Sequence, residues 1–178
     1  SKHAKVASEK VVRAFPELLS QLPLDRLAKT FGNFFSPRLL GLTLTAPIFV
    51  GQSSGATTHL HCEPIANVAL QLRGSKKWTL VDPKCSSRLR PRVSPDGRAY
   101  IASGLPPTAD LPCATEVRLG PGDLLFLPTF WWHRVDYLHD DDDAAVGISL
   151  FHFRFRSILA DTHNLLYFAA LLPNVFKE

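Results

Sequence analysis

Residues 57–64 read T-T-H-L-H-C-E-P, and three of them can do chemistry together. On a strand, alternate residues share a face, so His59, His61 and Glu63 point the same way before Pro64 ends the run. Imidazole and carboxylate on one face suit a borderline divalent metal such as iron or zinc, and a polar strand face in solvent is the plain alternative. A mononuclear iron site for oxygen chemistry takes two histidines and one carboxylate and leaves its remaining positions open. His-x-Glu supplies two of those ligands. The third candidate is His133, in the run GDLLFLPTFWWHRV, where a Gly-Asp turn leads into an apolar strand, a proline and an aromatic cluster. A lone histidine beside two tryptophans reads as core; paired with His61-x-Glu63 it reads as the distal ligand.

The elements that must position these residues fall into three stretches of a single domain, 1–178. Residues 1–44 read as a helical flank, with SEKVVRAF, PELLSQL and PLDRLAKTF as short helices. Residues 45–155 break into about seven short β-rich runs separated by Gly and Pro, the texture of a β-sandwich or barrel. Residues 156–178 return to helix, and the stretch LLYFAALL is apolar almost all round, which calls for a covering partner: the N-terminal helices or a second copy across a two-fold axis. In NVALQLRGSKKWTLV, Gly74-Ser75 reads as a two-residue type II′ hairpin loop pairing Arg73 with Lys76 and Asn67 with Asp82. Asn67, Ala69, Gln71, Lys76 and Trp78 would then share one face. The acid run DDDD at 140–143 reads as a solvated turn, with a cation site as the alternative.

Bulk composition narrows the function classes. With 46% hydrophobic and 20% charged residues, the chain is of ordinary globular make-up. A net charge of +4 suits an acidic ligand or partner, and nucleic acid is not indicated, because no dense Lys/Arg stripe with interleaved aromatics appears. Cys62, Cys85 and Cys113 form an odd set without a C-x-x-C pair, so neither a disulfide framework nor a zinc knuckle is expected. That leans towards a reducing, intracellular compartment, cytoplasm or nucleus. The longest apolar run is far short of a membrane helix. The chain opens on Ser1 and contains no methionine, which reads as an excised domain.

His61-x-Glu63, Asn67, QLRGSKKWTLVDP and GPGDLLFLPTFWWHRV together resemble the cupin-like JmjC oxygenases, over roughly residues 45–153. The spacing from His61 to Lys76 is that of the protein-hydroxylase branch. The resemblance implies a double-stranded β-helix (jelly-roll) barrel with flanking helices. It implies Fe(II) held by His61, Glu63 and His133, with 2-oxoglutarate and O₂ as co-substrates. Lys76 would take the distal carboxylate of 2-oxoglutarate, helped by Thr58, with Asn67 lining the pocket. Alternation favours His59 over Thr58 as the pocket residue, and the resemblance favours Thr58. The activity implied is hydroxylation of a protein or peptide side chain, or of a small molecule. Lysine demethylation, another metal-cupin reaction and a non-catalytic binding module are the alternatives. Related hydroxylases dimerise through terminal helices, so a homodimer is an expectation here. Two departures stand out: Glu63 replaces the aspartate usual in the hydroxylases, and Phe151 stands where they often carry asparagine. Substrate recognition is expected from the loops RVSPDGRAY and GLPPTADLP.

Overall fold

The computed structural model describes residues 5–7, 17, 44–45, 47–51, 55–138 and 144–175. Twelve strands build it: β1 (Lys5–Ala7), β2 (Leu44–Thr45), β3 (Ile48–Gly51), β4 (His61–Cys62), β5 (Ile65–Arg73), β6 (Ser75–Val81), β7 (Pro91–Val93), β8 (Ile101–Ser103), β9 (Ala114–Leu119), β10 (Leu124–Leu127), β11 (Trp132–Leu138) and β12 (Ala145–Phe153). A 3-10 helix (Pro83–Leu89) follows β6, and helices α1 (Phe155–Leu159) and α2 (Thr162–Val175) follow β12. The strands form two six-stranded antiparallel sheets. One runs β1-β3-β12-β5-β10, with β2 also on β12, and the other runs β7-β8-β4-β11-β6-β9. Among the described residues no ladder closes the pair into a continuous barrel.

The expected hairpin at Gly74-Ser75 does not form. β5 pairs with β12 and β10 in the first sheet, whereas β6 pairs with β11 and β9 in the second. Gly74 is a corner between sheets. Its φ of +60° and a site where a Cβ would lie 2.9 Å from Ala144 O admit only glycine without strain. The inward face inferred from alternation survives the change of partner. Asn67, Ala69, Gln71, Lys76 and Trp78 all line one cavity, because the two sheets face each other. Local turn chemistry is the same for a hairpin and a corner; distant strands decide between them.

Part of the N-terminal flank is strand: Lys5–Ala7 pairs with β3 and Leu44–Thr45 with β12. The helices expected at 8–31 lie, apart from the helical residue Glu17, outside the described residues, as does the acid run at 140–143. The single C-terminal helix is two, divided at Asp161, whose carboxylate accepts the His163 N–H at 2.7 Å and so caps α2. One face of the pair docks on the second sheet. Ile158 and Leu171 are fully buried in a cluster with Cys62, Leu89, Phe130 and Trp132, and Tyr167 meets the Phe130 ring edge-on at 5.6 Å. Burial of each such side chain contributes about 1.5–3 kcal/mol. Leu159, Leu165 and Leu166 remain exposed on the far side. Among the described residues no helix is long and apolar enough to cross a membrane.

Cys85 and Cys113 are joined in a disulfide, which overturns the expectation of none and with it the cysteine argument for a reducing compartment. Their separation of 28 residues hides their proximity in the sequence. Pairing of Val81 with Ala114 at the end of the β6–β9 ladder brings the two cysteines together, and Cys62 stays buried as a free thiol. Because the bond closes a loop of 28 residues in the unfolded chain, where the ladder is absent, it should stabilise the fold by about 3–4 kcal/mol. Denaturant unfolding of Cys85→Ser/Cys113→Ser measures this. Thiol titration of the unfolded, unreduced wild type should count one group, rising to three on reduction.

Candidate functional site

β4 is only two residues long and is held on both sides: His61 faces His133 of β11 and Ala102 of β8 in register. Direct opposition in a ladder puts the two imidazoles on one face with ring centroids 4.3 Å apart. Each ring is oriented by the carbonyl two residues before it, His61 Nδ1 on His59 O at 2.7 Å and His133 Nδ1 on Trp131 O at 3.0 Å. With Nδ1–H donating in both, both Nε2 lone pairs are free to face one point. Glu63 stands just beyond the strand end, where its carbonyl accepts the Phe130 N–H at 2.8 Å and its Oε1 lies 3.8 Å from His61 Nε2. One ligand atom from each of His61, Glu63 and His133 lies within 4.8 Å of the others. Burial, reinforced by the neighbouring His61, pushes His133 down to about 3, so its imidazole is neutral at pH 7. Two imidazoles and a carboxylate make a donor set that fits a divalent transition metal.

The approach to His133 carries backbone strain. Phe130 has φ +60°, unusual for a residue with a side chain, and its fully buried ring holds it there. This turn aims Trp132 outward under α2, where its Nε1 donates to Ser86 Oγ at 2.7 Å, and sends His133, Val135 and Tyr137 inward.

The cavity has a volume of about 690 Å³ and lies between the sheets. On its wall Lys76 is 4% exposed, yet among the described residues no carboxylate pairs with it. Among the described residues its Nζ has Phe49 O at 3.4 Å and the face of the Tyr137 ring at 4.7 Å. Burial lowers Lys76 to about 8. Gly147 makes room for the ammonium, since a Cβ there would lie 2.8 Å from Nζ and 3.0 Å from Leu70 O. An anion of modest size is the partner that such a cation lacks.

Both residues left open by the sequence reach the cavity, in different ways. Past Thr57 the chain leaves regular strand geometry, so alternation no longer governs Thr58 and His59. Thr58 Oγ1 accepts the Val135 N–H at 2.9 Å, which leaves its own proton to donate. His59 is exposed at the rim, outside the His61–Glu63–His133 group, and touches it only through its carbonyl. Asn67 is buried with its Oδ1 unpartnered, and Phe151, opposite it in the β5–β12 ladder, packs edge-on with Phe49 at 6.2 Å. Sequence reasoning missed Tyr137 and Gly147. The even spacing from His133 to Tyr137 was a usable signal for the first; nothing local marks the second. It named the loop of Tyr100 but not the ring itself, which packs against His61 at 5.4 Å.

Comparison with known proteins places this geometry in a family. Residues 2–156 match the cupin-like domain. The chain is 32% identical over 107 residues to HSPB1-associated protein 1 of Mus musculus, across 54% of this chain and 22% of that protein. It is 30% identical over 109 residues to ribosomal oxygenase 1 of Gallus gallus, across 56% of this chain and 17% of the relative. Human JmjC domain-containing protein 8 is 30% identical over 124 residues, across 66% of this chain and 42% of the relative. The matched region thus spans about a fifth of the length of the first two relatives. With its facing antiparallel sheets and this match over most of its length, the chain belongs to the cupin-like domain family, as a domain of the JmjC type.

Proposed function

We propose that the protein is an Fe(II)- and 2-oxoglutarate-dependent dioxygenase that hydroxylates a side chain of a protein or peptide. The observation that carries the reading is the His61–Glu63–His133 group sharing a cavity with a buried Lys76 that lacks a carboxylate partner. An oxygenase among the relatives supports it. His61, Glu63 and His133 would hold the metal. Bound there, Fe(II) with 2-oxoglutarate and O₂ couples oxidative decarboxylation, to succinate and CO₂, to hydroxylation of a substrate C–H bond. The chain's own part is positional. Lys76 would take the distal carboxylate of 2-oxoglutarate, with the Thr58 hydroxyl as a second donor and Asn67 beside them. Phe49, Ile65 and Phe151 line the facing side and limit water at the reacting centre. Succinate formed from 2-oxoglutarate on addition of Fe(II) tests the reading; none formed with any candidate substrate, under conditions where metal binds, overturns it.

Separate substitutions should divide metal binding from co-substrate binding. His61→Ala and His133→Ala should abolish Mn(II) binding measured by calorimetry. His59→Ala should preserve it, because only the His59 carbonyl is engaged. Lys76→Ala should keep the metal but weaken 2-oxoglutarate by the roughly 2–5 kcal/mol lost when one partner of a buried charge pair is truncated. Gly147→Val should weaken 2-oxoglutarate too, by displacing the ammonium, with Mn(II) affinity retained.

The ammonium form of Lys76 is required for this contact, and burial lowers it to about 8. Raising pH through that value removes the charge, so affinity should fall by up to about tenfold per pH unit above it. Calorimetric titration of 2-oxoglutarate into the Mn(II) protein from about pH 7 to about pH 9 checks this. A flat profile would assign the carboxylate to another group.

A further inference from the structure

Positive charge is concentrated on one segment. Residues 84–98 hold Lys84, Arg88, Arg90, Arg92 and Arg98 against the single acid Asp96, with Asp82 and Asp110 flanking the segment. All five cations are exposed. Arg98 is paired with Asp96 and Arg92 donates to Gly104 O at 3.0 Å, but among the described residues no carboxylate pairs with Lys84, Arg88, Arg90 or Arg92.

The fold leads this segment to the cavity. β7 is the outermost strand of its sheet, and Arg92, Ala102, His61 and His133 lie in one register row across β7, β8, β4 and β11. Two strand spacings, about 10 Å, therefore separate the Arg92 edge from His61. The 94–100 turn between β7 and β8 puts Arg98 and Tyr100 at the cavity mouth. That turn is held in shape. The Asp96 carboxylate accepts from Arg98 Nε at 2.9 Å, Arg98 Nη2 at 2.6 Å and Tyr100 OH at 3.1 Å, while Arg98 O accepts Asn174 Nδ2 from α2 at 3.1 Å.

A charge on an edge strand often only deters aggregation, and Arg92 alone would serve that purpose. Here the cations begin on the 3-10 helix, continue along β7 and end at the mouth. The open edge has no N–H at Pro91, but the other backbone N–H and C=O groups of β7 remain for strand addition, a mode of peptide recognition. For nucleic acid the segment lacks a stacking platform, since its one aromatic, Tyr100, is packed against His61.

We infer that β7 and the 94–100 turn dock an acidic, extended polypeptide, the flank of a protein substrate whose reacting residue enters past Tyr100. The inference rests on the oxygenase reading in calling that polypeptide a substrate; the docking itself does not.

Fluorescence anisotropy without metal or 2-oxoglutarate tests it, using a fluorescein-labelled peptide of alternating glutamate and valine, its glutamine-valine counterpart, and an oligouridine. The glutamate peptide should bind, weaken with added salt, and bind at least about tenfold more weakly to Arg88→Gln/Arg90→Gln/Arg92→Gln. The single variant Arg88→Gln should show part of that loss in a protein whose circular dichroism is unchanged. Equal binding of the two peptides, or indifference to both variants, overturns the inference. Tighter binding of the oligouridine, lost in the same variants, would overturn the peptide assignment in favour of nucleic acid. With no co-substrate present, failure here leaves succinate formation untouched, and failure of succinate formation leaves this binding standing.

Discussion

An ammonium group buried with no carboxylate partner among the described residues is the constraint around which the interior is arranged. Taking such a charge out of water costs several kcal/mol unless something compensates. The compensation here is partial: one long contact to the Phe49 carbonyl and the face of Tyr137. The neighbours are chosen to keep the group where it is. Gly147 on the opposite sheet has no Cβ because Lys76 Nζ occupies that space. Gly74 turns the chain from one sheet to the other two residues before Lys76, so the lysine enters the gap between sheets at the point where they come together. Burial in this setting lowers Lys76 to about 8, the direction expected of a cation that its surroundings compensate only in part.

The candidate metal ligands depend on a different economy, that of very short strands. β4 contributes only His61 and Cys62, too few residues to be stable as a free edge, and it persists because β8 and β11 flank it. The 83–113 segment that supplies β8 is thus structural. Its neck is clipped by Cys85–Cys113, its 3-10 helix buries Leu89 and offers Ser86 to Trp132, and its tip sets Tyr100 against His61. The C-terminal helices join the same arrangement, covering Trp132 on one side of β11 and fastening the tip through Asn174 on the other. Wall, mouth and helices are therefore coupled through contacts to one two-residue strand.

Alternation put His61 and Glu63 on one face and Lys76 with Asn67 on another, and residue type made His133 a candidate third ligand; joining them into one site came from the resemblance to the JmjC oxygenases. Pairing was not readable in the same way. Gly74-Ser75 carries the signal of a hairpin, yet the corner it makes is set by β12 and β11, some seventy residues downstream in the chain. The same holds for the disulfide: nothing near Cys85 or Cys113 announces that β6 and β9 are neighbours. Thr58 and His59 were undecidable because the alternation rule was applied to backbone that is not strand. Tyr137 shares the parity of His133 and was open to the argument; it went unread because an aromatic residue on a buried strand is ordinarily core.

The two departures from the hydroxylase pattern are explained by the division of labour between the sheets. His61, His133 and Lys76 are carried by the sheet of β4, β11 and β6, while β3, β5 and β12 present the mainly apolar set Phe49, Ala69, Leu70, Ile148 and Phe151, with Asn67, Gln71 and Ser149 among them. Glu63 falls after β4 has ended, with its own backbone tied back to Phe130, so its carboxylate must return towards His61 from outside the ladder. A glutamate has the reach for that path. Phe151, in turn, belongs to the apolar sheet, paired with Asn67 and packed on Phe49. A polar residue there would add a group to the side of the cavity that excludes water. The longer carboxylate and the mainly apolar facing wall then follow from one arrangement, in which His61, His133 and Lys76 share one sheet and Phe49 and Phe151 pack on the other.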